Sequence, residues 1–595
     1  MSSPGPPPVP WPADVGHASG RIYYHDISQA VGGNLARVTT TLRSVRYDGT
    51  DGQVHAKVRA PIVFAPSGPP GPIAMRVSPD GQRVVMVSRN DAYVFALPPL
   101  GAEGVPLDME RAATSLPLRR ITYDGASEAG WADDGHTITW SFADRYFRAN
   151  ADSVVATADS TKWRVERRDI ALTVPRATPK GAVLLKGGRV ITMRGDEVLA
   201  SGDVLIENSR ITRVGASIAA PAGARVIDMT GKTLMPGIVD VHAHMRTGRD
   251  IAYDTEWSTV ANLAFGVTAT RNPSTGWGTY AYGEMVDAGT MIGPRIFSTG
   301  PPLTGTNVPL RNYEEALRAV RRYRAEGANS LKQYIQPRRI QRQWILQAAL
   351  AEGINATNEG AGDFRADMTM AMDGFTGLEH TLPMPTIYKD VVTLLADSKI
   401  TYTPALNAQY GGPIGDTYWR ARNDLRADPK SRRFTPRDQL DRATRELPLI
   451  HDDEYIFKQA AQSARDIVRA GGNVGLGSHG QQNGVGANWE LWMIQSGGLT
   501  PLETIRAATM MGAASIGLDR DLGSIEPGKL ADILVLDANP LDDITNTAKA
   551  RYVVKNGVVY DAATLDEIWP TARKFPTSVW ARDEQERERL RITPR

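Results

Sequence analysis

The stretch LMPGIVDVHAHM, residues 234–245, sets His242 and His244 one residue apart behind a run of apolar and β-branched residues. In a strand, residues i and i+2 point to the same side, so the two imidazoles share a face, with Asp240 in phase behind them. Imidazole nitrogen is a good ligand for zinc and similar ions, and two on one face make a candidate ligand pair. Two unrelated surface or packing histidines would give the same spacing, so the pattern needs support from the elements around it.

Between about 233 and 517, short apolar runs (GIVDV, GVTAT, PRIFSTG, ANSLKQY, GINAT, GFTGLEH, KITYTPAL, NVGLGS) are mostly followed by helical patterns. Within NYEEALRAVRRYRAEG, Asn312 and Glu315 have the spacing of a capping box, and Tyr313, Ala316, Leu317, Val320 and Tyr323 form an apolar stripe. Strand–helix units in this number predict an α/β domain of (β/α)8 barrel type, with a doubly wound open sheet as the competing architecture. The glycine-rich phosphate loops that would favour the open sheet are absent. In a barrel, His242 and His244 lie at the C-terminal end of the first strand, where such folds keep their active sites.

The flanks have a different texture. Residues 180–232 and 518–562 read as short strands separated by turns, and they are expected to pair into one small β-sandwich. Residues 16–179 are strand-rich and carry a weak repeat. SPDGQRVVMVSRNDAYVFAL at 78–97 resembles ADDGHTITWSFADRYFRANA at 132–151, each with an Asp-Gly turn before alternating residues, and 18–28 is a degenerate third copy. The period suggests propeller blades too few to close a ring, a partial propeller-like all-β region; an irregular β domain is the alternative. Residues 1–15 are proline-rich, and 563–595 form a charged tail of alternating sign.

The whole chain has 595 residues, with 42% hydrophobic and 23% charged residues and a net charge of +2. This is a globular composition with no strong field pointing to nucleic acid or an anionic membrane. No apolar run approaches the length of a bilayer span. The start lacks the basic-then-apolar order of a signal peptide, and the compartment stays open: cytoplasmic or, for a processed fragment, periplasmic or secreted. With no cysteine, disulfides, thiolate metal sites and cysteine nucleophiles are excluded.

TLMPGIVD followed by DVHAHM closely resembles the opening motif of the metal-dependent amidohydrolase superfamily. DLGSIEPGKLADILVLDANP resembles the strand pair that closes that superfamily's sandwich, and the region before 180 resembles TolB-like propeller repeats. The resemblance implies one or two divalent ions, zinc first, with manganese or iron as alternatives. It implies His242, His244, His380 in GLEHTLP and Lys332 in ANSLKQY as ligands. Lys332 is the position at which a lysine is often carboxylated to bridge two metals, and partial burial would favour the neutral amine that carboxylation needs.

Two positions depart from that pattern. Strand five usually ends in a histidine; here it offers Thr357, with Glu359 two residues on. Strand eight usually supplies an aspartate; here His479 stands in its place, as a ligand, a base, or both. His479 is the first candidate for shuttling the proton of an attacking water, Glu359 the second. His451 reads as structural or solvated, on a helix. The long arginine-rich segment 406–450 is either a lid or a solvated insertion, and Tyr410 and Arg271 are the candidates for touching substrate. Trp489 and Trp492 read as helix packing.

The implied activity is metal-dependent hydrolysis of a C–N bond in an amide, peptide-like or cyclic amide substrate. The alternatives are an ester hydrolase or isomerase of the same superfamily, or a binding or scaffold protein with an impaired site. The incomplete propeller suggests a homo-oligomer or a second chain that supplies the missing blades.

Overall fold

The computed structural model describes residues 14–16, 20–30, 37–61, 74–97, 104–109, 116, 118–246, 255–305, 308–360, 362–384, 386–445 and 447–582. Most of the proline-rich start, and residues 583–595 of the charged tail, lie outside these. The chain divides into two units, residues 1–173 with 304–327 and residues 174–303 with 328–595.

Among the described residues, the first unit carries three sheets. Two are four-stranded antiparallel meanders: Ala74–Val77, Arg83–Ser88, Asp91–Ala96 and Arg119–Arg120, then Ala129–Trp131, Thr137–Phe142, Arg145–Asn150 and Val165–Asp169. The repeated Asp-Gly turns open both in the same way. Gly81 and Gly135 sit at φ 72° and 69°, a region glycine enters without steric cost, and Asp80 and Asp134 accept from the backbone two residues on. The degenerate copy at 18–28 falls in the five-stranded third sheet, partly on residues outside the described ones.

The helix Tyr313–Ala325 groups with this unit rather than with the strands on either side of it in sequence. Asn312 caps it by accepting from the Glu315 backbone at 2.9 Å, but Glu315 reaches back to the Arg311 amide, so the expected box closes one residue early. Its buried side is Ala316, Ala319, Val320, Arg322 and Tyr323, and Arg322 donates to the Asp124 carbonyl at 2.6 Å.

In the second unit, the two flanks meet in a single nine-stranded sheet. The strand Ala182–Ile191 is bulged, so its first half pairs with Arg225–Asp228 and its second half with Thr233–Pro236. Ile533–Leu536 then joins antiparallel, Leu234 opposite Val535, and Ala550–Lys555, Val558–Asp561 and Glu567–Trp569 follow. Consecutive residues face opposite ways: Leu234, Ile533 and Val535 pack with Val183 and Val204, while Met235, Leu534 and Leu536 pack toward Ala261, Leu263 and Leu491. Two expected boundaries move. Thr233–Pro236 is a sheet strand because its residues are needed on both faces, and Glu567–Trp569 belongs to the sheet rather than to a tail.

The remaining strands are parallel: β1 Ile238–Asp240, β2 Val267–Asn272, β3 Arg295–Ser298, β4 Ser330–Gln333, β5 Asn355–Asn358, β6 Gly377–Glu379, β7 Thr401–Thr403 and β8 Asn473–Val474. β1–β3 form one arc and β4–β8 another. Single parallel bridges link the arcs, Leu303 to Gln333 and Asp240 to Leu476. This is a TIM-barrel-type arrangement, and the strand residues are buried almost throughout, as expected for parallel strands covered on both faces.

After β7, the short turn Leu406–Ala408 is held by Glu490, whose carboxylate accepts from the Leu406 and Asn407 amides at 2.7 and 2.9 Å. Burial raises this carboxyl to about 8, against the pull of those amides. The fold therefore favours the protonated form, and the contribution is full below the ordinary value of 4.5 and is lost as pH rises toward 8. Wild type is expected to show a falling urea midpoint from acid to mildly alkaline pH, and Glu490→Gln a flatter profile. Parallel profiles would remove Glu490 as the cause.

Candidate metal and active site

Four imidazoles meet at the C-terminal ends of three strands. His242 and His244 follow β1, His380 follows β6, and His479 lies on the turn after β8. Their ring centroids are 4.6–4.9 Å apart for His242–His244, His242–His380, His242–His479, His244–His479 and His380–His479. Ligand atoms of His242, His380 and His479 all lie within 4.8 Å of one another. Three of the four residues are left-handed, with φ 38° at His244, 69° at His380 and 60° at His479. Each such non-glycine conformation costs about 1–3 kcal/mol and persists where the surroundings over-determine it, as at functional sites. The β8 turn can approach because Gly477 has no side chain: a Cβ there would stand 2.7 Å from that of His242.

A second layer holds this one in place. Asp240 accepts from the backbone amides of His242 and Ser478 at 3.1 and 3.2 Å and from the Ser478 hydroxyl at 2.5 Å, tying β1 to the β8 turn. Glu379 takes His242 Nδ1 at 2.8 Å on one oxygen and the Thr357 hydroxyl at 2.5 Å on the other. The second oxygen also receives the Arg271 guanidinium. Arg271 was the expected substrate contact. Its guanidinium is instead engaged below the histidines, by Glu379 and by the Val241 carbonyl at 2.8 Å, and the residue is 1% exposed. Removing one partner of a buried ion pair strands the other, so Arg271→Ala is expected to lose about 3–5 kcal/mol of stability in urea denaturation. An unchanged midpoint would mean that the pair does not hold the fold.

The inner wall is a different cluster. Lys332, from β4, points its Nζ at His242 Nε2, 3.2 Å away, and pairs with the Glu359 carboxylate. Glu359 Oε1 lies 3.2 Å from His380 Nε2 and accepts from the Tyr410 hydroxyl at 3.2 Å. Tyr410 stacks on His380, centroids 4.5 Å apart and planes within 17°. Burial would raise the Glu359 carboxyl, but Lys332 and His380 outweigh it and hold the group well below its usual range. Burial, reinforced by Glu359, raises the Tyr410 and Tyr334 phenols. Tyr334 is a member that the sequence reading missed. It lies two residues beyond Lys332, and the same in-phase rule that linked Glu359 to Thr357 would have found it.

Three of the imidazoles are held below their ordinary values. Burial first, then the neighbouring cationic groups, lower His242 and His244 well below their ordinary values, and burial with His380 takes His479 down to about 3. His479 Nδ1 meets the Gln481 side-chain oxygen at 2.9 Å, which leaves Nε2 for the cluster. His380 is 2% exposed, yet its Nδ1 makes no hydrogen bond and its Nε2 meets only the Glu359 carboxylate, at 3.2 Å. Buried polar atoms without partners carry a cost unless something else satisfies them. Neutral imidazoles crowded nitrogen to nitrogen, including His242 Nε2 at 2.9 Å from His244 Nε2, fit a zinc-type cation as the missing partner.

Residues 233–560 match the family model described as Amidohydrolase family. The chain belongs to the amidohydrolase family. This amidohydrolase is 43% identical over 90 residues to the dihydroorotase of Geobacter sulfurreducens and 40% over 89 residues to that of Mycobacterium tuberculosis. Each match covers 15% of this chain and 20% of the dihydroorotase, so the chain matches about a fifth of the length of these relatives. Among solved structures, it resembles molinate hydrolase with a TM-score of 0.52 at 18% identity, over 67% of this chain and 99% of that one. It resembles a Xaa-Pro dipeptidase solved with bound methionine with a TM-score of 0.51 at 20% identity, over 64% and 100%. At these identities the likeness is one of fold.

Other expectations for this amidohydrolase resolve into packing. In 406–450, Tyr418 stacks under the Arg422 guanidinium at 3.6 Å and contacts Tyr455 and Phe457, while Arg420 binds the Ala443 carbonyl. Of the aromatic residues noted there, Tyr410 is the one in contact with the site. His451 precedes a short 3-10 turn, Asp452–Glu454, in an exposed loop rather than on a helix. Trp489 is buried with Leu425 and Leu440, and Trp492 donates to Thr547 at 3.0 Å.

Proposed function

We propose that this chain hydrolyses an amide, peptide-like or cyclic amide bond with the help of one or two divalent ions, zinc first. The observation that carries the reading is the clustering of His242, His380 and His479, whose ligand atoms lie within 4.8 Å of one another, with the ring of His244 and the amine of Lys332 beside them and His380 Nδ1 left without a hydrogen bond. A bound cation acidifies water and polarises the carbonyl under attack. His242, His244, His380 and His479 would hold it through their ring nitrogens, and Lys332, free or carboxylated, would close the inner wall.

Glu359 is the candidate, by its position and not by its titration, for accepting the proton of the attacking water and returning it to the leaving nitrogen, with His479 as the other. Its oxygens are the carboxylate oxygens that face this wall, and Tyr410 and Lys332 fix their direction. Tyr410, stacked on His380 and bonded to Glu359, is the candidate for touching substrate. Thr357, at the strand-five position, makes no ligand and serves Glu379 instead.

The test is metal analysis of the purified protein, followed by an amide and dipeptide library with and without chelator. Tightly held zinc-type ions and chelator-sensitive turnover are expected. A folded protein that takes up no metal would overturn the reading in favour of a scaffold. The TolB-like, partial-propeller character of the first unit belongs to the same proposal and is supported by the two matching meanders; completion by a second copy would appear as a dimer or larger species by light scattering, and a monomer would exclude it.

A further inference from the structure

We infer that Glu379, braced by Thr357 and Arg271, is a positioning residue that fixes the proton of His242 on Nδ1 and so keeps its Nε2 bare toward the centre of the imidazole cluster. The inference rests on the proposed metal site and adds to it a device that the sequence pattern of the ligands does not contain.

The argument starts from donor and acceptor capacities. An ionised carboxylate only accepts, so the 2.8 Å contact between His242 Nδ1 and Glu379 Oε2 requires the proton to be on Nδ1. A neutral imidazole has one such proton, and the other nitrogen then carries a lone pair. That other nitrogen, Nε2, lies 2.9 Å from His244 Nε2 and 3.2 Å from Lys332 Nζ, inside the cluster. Both His242 and Glu379 side chains are fully buried, so water cannot substitute for either partner.

The carboxylate is itself prevented from rotating. Its other oxygen accepts from the Thr357 hydroxyl at 2.5 Å and from the Arg271 guanidinium, whose Nε is anchored on the Val241 carbonyl one residue before His242. The room for this exists because residue 377 is glycine: a Cβ there would stand 2.3 Å from the Thr357 hydroxyl oxygen. The chain thus uses the strand-five position, where an additional imidazole was expected, to orient an imidazole already present. Partners of this kind hold the tautomer and ring direction of a ligand, and their loss typically costs about 10–100-fold in metal affinity.

Two measurements test it. In metal-free protein carrying nitrogen-15 histidine, with the His242 signals assigned by their absence in His242→Asn, the Nδ1–H tautomer is expected. In the double variant Glu379→Gln with Arg271→Gln, which leaves neither charge buried alone, zinc affinity by competition with a chromophoric chelator is expected to fall about 10–100-fold while the circular dichroism spectrum is kept. An Nε2–H tautomer in the wild type, or unchanged zinc affinity in a folded double variant, overturns the inference. If the double variant does not fold, the tautomer decides. Failure of the wild type to bind zinc defeats the functional proposal, while the tautomer measurement still judges the role of Glu379.

Discussion

A His380→Ala variant is expected to lose its metal and its activity while the metal-free protein remains about as stable as wild type. Most ligand substitutions confuse the two effects, because a buried histidine usually also holds the fold through its second nitrogen. His380 has no such anchor on Nδ1: Nε2 faces the Glu359 carboxylate at 3.2 Å, and the ring otherwise packs on Tyr410, His242 and His479. Removing it takes away a buried nitrogen without a partner together with some packing, two changes of opposite sign for stability. For the cation, a direct ligand disappears. Zinc affinity measured by chelator competition is expected to fall by more than about 100-fold, beyond the upper end of what loss of a supporting residue costs. Full retention of the metal would show that His380 is not a ligand.

Glu359→Gln is expected to act in the opposite sense, keeping the metal but removing the proton acceptor. General acid–base groups contribute about 10²–10⁴-fold, so kcat on any amide identified as substrate is expected to fall within that range while zinc remains bound. The substitution also leaves the Lys332 ammonium without its counter-charge. In wild type the Glu359 carboxyl is held well below its ordinary value of 4.5, so its stabilising contribution is present above that pH and is lost as pH falls further. The variant should therefore show a shallower loss of stability in acid, read as the thermal midpoint against pH. If kcat is unchanged, the proton acceptor lies elsewhere; if zinc is lost as well, Glu359 is itself a ligand.

Much of the barrel was legible because its rules are local. The eight apolar runs read from the sequence coincide with β1–β8, and the i, i+2 spacing of His242 and His244 brings their rings together. The Asp-Gly turns at 80–81 and 134–135 specify their own hairpins through glycine φ and aspartate acceptors. What was not legible depends on residues distant in sequence. Arg271 looked like a substrate contact because nothing local says that Glu379 waits beneath it. Glu379 stood next to His380 in the quoted motif and was passed over, since in a strand a neighbour one residue away points to the other side. Thr233–Pro236 falls inside the barrel boundary read from the sequence because its apolar character suits either layer, and its sheet assignment emerges from pairing with Ile533–Leu536.

That last pairing sets an order on biosynthesis. The strand 233–236 leaves the ribosome early, already flanked on one side by 182–191, yet its other neighbour, 533–536, is translated only after all eight barrel strands. Throughout that interval the nascent chain exposes an unpaired edge bearing Leu234 and Met235, the kind of edge that recruits strands from other molecules. Chaperone demand during expression, and aggregation of chains truncated before residue 533, follow from this long-range closure.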